Sequence, residues 1–143
     1  MIANYHTHTH RCNHAIGRED EYVQEALKAG LKILGWADHA PYLFTGGYYS
    51  HFRMRPAQLE GYIRVIEELR QKYAGMIEMP IGLETEYYPK HFGRLVEFLQ
   101  DYPIDYMILG QHFLENEYDG PYSGYVTQDK DVVRRYCNQS MEA

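Results

Sequence analysis

Leu31-Lys-Ile-Leu-Gly-Trp-Ala37 is an apolar run of strand length, and it leads directly into Asp38-His39. A strand that delivers an acid and an imidazole at its carboxyl end is the unit from which the rest of the chain can be read. Before it, residues 19–29 read as a helix, with Tyr22, Val23, Ala26 and Leu27 on one side and Gly30 as the stop. Before that helix, residues 2–6 read as a short strand ending at His6. After it comes a long loop rich in Gly, Tyr and Pro, then the clearest helix, residues 56–73. Leu59, Tyr62, Ile63, Ile66, Leu69 and Tyr73 keep a three-four spacing there, Pro56 suits the first turn and Gly75 the end. Residues 77–83 give a third strand and residues 104–109 a fourth. Phe92, Leu95, Val96 and Leu99 mark the helix between them. A last helix is expected over 129–141, capped near Thr127, with Val133, Tyr136, Cys137 and Ser140 on one stripe.

Four successive strand-helix units argue for an α/β fold with a parallel sheet or barrel, whose site lies at the carboxyl ends of the strands. The polar residues obey that rule. The first strand ends in His6 and His8, the second in Asp38-His39, the third in Glu84 with Glu86 close behind, and the fourth in Gln111-His112. His6 and His8 are two apart, so on an extended strand both imidazoles point to one face and can grip one ion. His10 and His14 follow in the same segment, an alternating pattern unlike the contiguous run of an expression tag.

The 143 residues suit one domain with a real core. A net charge of −6 gives no basic footprint for nucleic acid, and an acidic chain that binds phosphate esters needs cations, which bound metal would supply. Cys12 and Cys137 are too few for a disulfide framework. No apolar run nears membrane-span length and no signal peptide is recognisable, so the expected compartment is the reducing cytoplasm.

The motifs His6-x-His8-Thr9-x-x-Cys12-x-His14, Asp38-His39-Ala40-Pro41, Gly82-Leu83-Glu84-Thr85-Glu86-Tyr87 and Gly110-Gln111-His112-Phe113, in that order, resemble the PHP (polymerase and histidinol phosphatase) metallophosphoesterases. The Cys-x-His ending of the first motif and the Ala-Pro after the second resemble the histidinol-phosphatase branch. The resemblance implies a distorted (β/α)7 TIM-like barrel, of which this chain carries about four strand-helix units, with up to three divalent ions (Zn, Mn or Fe). By that resemblance His6, His8 and Glu84 would hold one ion. Glu84 would bridge to a second ion held by His112, and His14 and His39 would hold a third. Glu84, His39 and His112 would form the catalytic group. His10 falls at a variable position. Cys12 reads as a packed thiol, Asp38 as a partner orienting His39 or a neighbouring ligand, and Glu86 equally as such a partner or as a solvent-facing acid. The resemblance also implies a histidine after a fifth strand and a later Asp-x-His pair. Neither is in the sequence, so residues 1–143 are expected to be the N-terminal part of a single barrel domain with its C-terminal portion absent.

The implied reaction is hydrolysis of L-histidinol phosphate to L-histidinol and phosphate, a step of histidine biosynthesis. The alternatives are another PHP phosphoesterase acting on nucleotides, or a truncated, non-catalytic metal-binding barrel fragment. The loop over 41–55 is long for a βα connection, and His51, Arg53 and Arg55 are its candidate substrate contacts. A second loop, 114–126, is acidic and rich in tyrosine, which suits a cationic substrate. The expected partner is a small-molecule phosphate ester, with no nucleic acid and no membrane, and open barrel edges would favour self-association.

Overall fold

The computed structural model describes residues 1–125 and 127–143. The end of the second loop expected above, Val126, lies outside the described residues. Among the described residues five strands are formed: β1 (Ala3–Asn4), β2 (Ile33–Leu34), β3 (Trp36–His39), β4 (Ile81–Thr85) and β5 (Tyr106–Leu109). Four α-helices accompany them: α1 (Glu19–Lys28), α2 (Leu59–Lys72), α3 (Phe92–Leu99) and α4 (Lys130–Glu142). All strand pairs are parallel: β1 with β2, β3 with β4, and β4 with β5. The chain is α/β, with the parallel strands of a partial TIM-like fold.

The run expected as one strand over 31–37 is two short strands separated by Gly35. Its backbone changes partner at that point. The Gly35 N–H donates to the Asn4 carbonyl at 2.6 Å, whereas the Trp36 N–H turns to the Pro80 carbonyl at 3.0 Å. The Ala37 N–H returns to the Thr7 carbonyl at 2.9 Å, so β2 and β3 together stitch the first strand to the third. The third strand begins at Ile81, four residues later than the expected start at 77. Pro80 has no N–H to donate to a ladder, and Glu78 makes only an isolated bridge to Ile33. Glu84 therefore sits within β4 instead of just past its end.

The period-two geometry of β4 separates two environments. Ile81 and Leu83 are buried in the main core with α-helical residues. Gly82 and Glu84 share the other face, in register with Ala37 and His39 of β3 and with Tyr106 and Ile108 of β5. The Tyr106 ring lies across that face, and its hydroxyl donates to the carbonyls of Tyr5 at 2.7 Å and Trp36 at 2.9 Å. A Cβ at Gly82 would run into the Tyr106 ring, and one at Gly35 into its hydroxyl, so both strands need glycine where the phenol crosses.

The core lies between the sheet and α1 to α3. Val23 and Ala26 of α1, the expected Leu59, Tyr62, Ile63, Ile66 and Leu69 of α2, and Leu95 and Leu99 of α3 are buried against Trp36, Ile81 and Leu83. Pro56 opens a single 3-10 turn, Pro56–Gln58, before α2 begins. In α4 the expected stripe is not buried. Val133 and Cys137 are exposed, and the residue buried is Gln139. Its side-chain amide accepts from the Glu115 N–H at 2.8 Å and donates to the Tyr87 carbonyl at 2.5 Å, so this helix is held by polar bonds to two loops. Asp129 caps it by accepting from the Asp131 N–H, and Thr127 accepts from the Asp129 N–H one step earlier. Among the described residues no helix is long and apolar enough to cross a membrane.

Candidate metal centre

Glu84 is where the four motifs meet. Its Oε2 lies 3.0 Å from His6 Nε2, 3.2 Å from His8 Nε2 and 3.3 Å from His39 Nε2. Its Oε1 lies 3.6 Å from His112 Nε2. One carboxylate thus faces four imidazoles brought by three different segments. Gly110 makes room for it, since a Cβ there would overlap Glu84 Oε1. His14 closes the cluster by ring contacts, its centroid 5.4 Å from His8 and 4.9 Å from His39.

The local sequence explains each placement. His6 and His8 follow β1 in extended chain. A 3-10 turn, His10–Cys12, capped by the Thr9 side chain, then folds His14 back over His8. Asn13 allows that reversal with a left-handed backbone at φ 61°. The turn is pinned by Asp38, whose Oδ1 accepts the Thr9 N–H at 2.5 Å and whose Oδ2 accepts the Thr9 hydroxyl. Asp38 Oδ1 is also 3.7 Å from His8 Nδ1, so Asp38 stands behind His8, not behind the neighbouring His39. Cys12 is fully buried, its thiol 3.2 Å from Asp38 Oδ1 and 3.4 Å from His8 Nδ1. His10 points away, its Nδ1 3.8 Å from Glu19 Oε1 and its side chain 54% exposed.

Glu86 does not face solvent. It is fully buried, with Oε1 3.1 Å from His112 Nδ1 and 3.7 Å from His39 Nδ1. Glu84 and Glu86 therefore take opposite edges of the same two rings, Glu84 the Nε2 edges and Glu86 the Nδ1 edges. No sequence feature beyond the two-residue spacing from Glu84 distinguished that role from an exposed acid.

The three candidate substrate contacts separate. Arg53 is buried and its donors are engaged: Nη1 to the Ala40 carbonyl at 2.8 Å, Nη2 to Glu86 Oε2 at 3.1 Å, Nε to Glu117 Oε2 at 2.8 Å. This is a correction to the expectation for Arg53, whose guanidinium is occupied by buried carboxylates and is not presented to a ligand. His51 and Arg55 gather on Tyr49. The Arg55 Nε–H donates to the Tyr49 hydroxyl at 2.5 Å, and the His51 ring packs edge-on at 5.4 Å. Among the described residues no side-chain hydrogen bond or ion pair joins His51 or Arg55 to the imidazole cluster.

The electrostatics are those of a concentrated donor site. Burial raises the cost of ionising Glu84, but His8, His39 and His6 outweigh it and hold the carboxyl at about 2. Burial pushes the His39 imidazole down to about 3 despite Glu86 and Glu84, so this ring is neutral and offers one nitrogen lone pair. His39 Nδ1 has no hydrogen-bond partner although it is buried. Three donor groups result: His6, His8 and Glu84; His8, Cys12 and His14; and His39, Glu86 and His112, the ligand atoms within each lying within 4.8 Å of one another. A neutral buried imidazole with a free edge, other imidazoles and an ionised carboxylate fit a divalent ion of the zinc, manganese or iron type. His39, Glu84 and Glu86 are almost wholly covered, whereas the side chains of His6, His8 and His112 are 47%, 22% and 33% exposed. A ligand would approach from the side of those three rings. A cleft of about 750 Å³ opens beside His6, His8 and His14 and runs along α1.

A family model described as PHP domain matches residues 4–143. The chain is 35% identical over 113 residues to the "probable histidinol-phosphatase" of Deinococcus radiodurans, a match covering 79% of this chain and 43% of that protein. It is 34% identical over 134 residues to the histidinol-phosphatase of Bacillus subtilis, covering 88% of this chain and 47% of that one. The chain thus spans about half the length of these curated relatives. Among solved structures, the histidinol phosphate phosphatase of Lactococcus lactis, determined with Zn, L-histidinol and phosphate, aligns with a TM-score of 0.65 at 24% identity. That alignment covers 78% of this chain and 40% of that one. A Listeria monocytogenes structure aligns with a TM-score of 0.75 at 21% identity, over 98% of this chain and 58% of that one. These two likenesses concern the fold, whose parallel strands carry the four motifs to one end here. With its family model matched over nearly its whole length, the chain belongs to the PHP domain family.

Proposed function

We propose that this chain carries the metal centre of a phosphomonoesterase that hydrolyses L-histidinol phosphate to L-histidinol and phosphate, in histidine biosynthesis. The observation that carries the reading is the convergence of His6, His8, His39 and His112 on the two oxygens of Glu84, with His14 alongside. The substrate follows from the names of the relatives at 34–35% identity. His6, His8 and Glu84 would hold one ion, Glu84 and His112 a second, and His14 and His39 a third. When bound, such ions supply a water acidic enough to attack near neutral pH and positive charge for the phosphoryl oxygens. The chain's own residues do the rest. Glu84 joins the donor groups through its two oxygens. Asp38 keeps His8 in place through the Thr9 turn, and burial keeps His39 neutral and able to donate a lone pair. The acidic surface, with a net charge of −6, favours a small cationic ester over nucleic acid, and the cytoplasm is the compartment that fits such an enzyme.

Two measurements test this. The chain is titrated with zinc by calorimetry, with saturable binding expected in the wild type. Phosphate release is then compared among L-histidinol phosphate, AMP and p-nitrophenyl phosphate after zinc or manganese loading. Preference for L-histidinol phosphate is expected. Absence of zinc binding would overturn the metal centre, and preference for AMP would overturn the substrate while keeping the centre.

A further inference from the structure

Arg53 is the most deeply buried cation of the long loop over 41–55, and it holds two carboxylates. Its guanidinium contacts Glu86 and Glu117 and caps the Ala40 carbonyl just beyond β3. Aromatic rings enclose it, with Phe52 4.6 Å and Tyr42 5.1 Å from the guanidinium carbon. Tyr42 also donates its hydroxyl to the Glu86 carbonyl, so the residue that walls Arg53 also fixes the backbone of Glu86. Arrangements of this kind leave a side chain little freedom. Nη2 holds one oxygen of Glu86, Oε2, while Nε and Nη2 both meet Glu117 Oε2, so within the aromatic slot the guanidinium fixes where that Glu86 oxygen sits.

Glu86 has one oxygen on Arg53 and the other on the Nδ1 edges of His112 and His39, at 3.1 Å and 3.7 Å. An anionic carboxylate accepts and cannot donate, so the neutral His112 ring facing it must carry its proton on Nδ1. Its Nε2 lone pair then points toward Glu84, 3.6 Å away. We infer that Arg53 is a positioning residue: by orienting Glu86 it selects the Nδ1–H tautomer of His112 and presents the His112 Nε2 lone pair to the space beside Glu84. The inference rests on the metal-centre reading above for its purpose, but the selection itself is a property of the metal-free chain. Truncating a partner that orients a metal-ligating histidine typically costs about 10–100-fold in metal affinity.

The test reads the tautomer directly. Long-range 1H–15N correlation spectra of the metal-free chain, taken at a pH alkaline enough to deprotonate His112, distinguish Nδ1–H from Nε2–H for His112. Four proteins are compared: wild type, Arg53→Lys, the double variant Arg53→Met/Glu117→Gln, and Glu117→Gln alone. Removing Arg53 by itself would leave two buried carboxylates unpaired and could unfold the chain. The double variant leaves one such carboxylate instead of two, because loss of one cation and one anion keeps the net charge of the slot unchanged. Circular dichroism confirms that each protein is folded. The expected result is Nδ1–H in the wild type and in Glu117→Gln, a mixture of tautomers in Arg53→Lys and in the double variant, and zinc affinity lowered about 10–100-fold in those two. An Nε2–H tautomer in the wild type would overturn the proposal even if neither Arg53 variant folds. An unchanged Nδ1–H in both folded Arg53 variants would overturn it as well. A wild type that shows the expected tautomer shift on mutation but binds no zinc would sustain the hold of Arg53 on His112 and refute the metal centre instead.

Discussion

Glu84 faces four imidazoles with two oxygens, so its removal should undo several ligand pairs together. Glu84→Ala is expected to weaken zinc binding by more than the roughly 10–100-fold typical of an outer partner, and to nearly abolish phosphate release from L-histidinol phosphate. His10→Ala should leave both close to wild type, because His10 points to Glu19 and is half exposed. Calorimetry and a phosphate assay on the two variants check this, and an intact zinc isotherm in Glu84→Ala would refute the assignment. A second residue-scale prediction concerns pH. Burial would raise the Asp105 carboxyl, but the Ile81 N–H, bonded at 2.8 Å, and Arg70 outweigh it and hold it below its ordinary value. A depressed carboxyl stabilises the fold above the unfolded-chain value near ~3.9 and loses that effect as pH falls through its folded value. Asp105→Asn should therefore cost under about 1 kcal/mol near neutrality, since half the carboxylate is in water. The gap to wild type in urea unfolding should close in acid, and a gap that widened there would contradict the assignment. The histidines and Glu84 were legible because ligand-type residues recur after strand-like runs. Arg53 was not legible, because a loop arginine reads alike whether it meets phosphate or a buried acid. What decides is Glu117, 64 residues away, whose contact with Arg53 no local pattern shows.

The strands show the same division between local and long-range information. Helices α1, α2 and α3 fall close to their expected spans, because a three-four apolar spacing over several turns is a local signal. The strands moved more, since their limits depend on partners. Gly35 divides β2 from β3 where the chain passes from one neighbour to the next, and Pro80 delays β4. Stripe reasoning failed for α4, because its docking depends on Gln139 meeting the Glu115 N–H and the Tyr87 carbonyl, both on distant loops. Within the barrel, Tyr106 crosses the faces of Gly35 and Gly82. Gly82→Ala should be destabilising by about 1–3 kcal/mol through overpacking. In a Tyr106→Leu background, where the phenol is gone, the same change should cost much less. A double-mutant cycle in urea measures the coupling. Additive costs would mean that the ring is free to move aside, contrary to the two hydrogen bonds that hold its hydroxyl.

At the scale of the whole molecule, four parallel strand positions make a curved sheet that does not close among the described residues. β5 pairs with β4 on one side only, and β1 pairs only with β2. The outward face of β5 carries Met107 and Leu109, 43% and 46% exposed, and Val96 of neighbouring α3 is 46% exposed. Unpaired backbone donors and acceptors beside apolar side chains form a template for another strand, and exposed apolar surface favours covering it. The geometry around Glu84 does not depend on the unpaired side of β5, because the four imidazoles are carried by strands and turns already paired with one another. The 143-residue chain is therefore expected to bind metal and yet to self-associate. Sedimentation velocity over a hundredfold range of concentration should show its mean mass rising. Met107→Lys/Leu109→Lys, which places charge on the open edge without touching the donor groups, should shift the distribution toward monomer and leave the zinc isotherm unchanged. A wild type that stays monomeric throughout would show that β5 is protected by its own twist and short length.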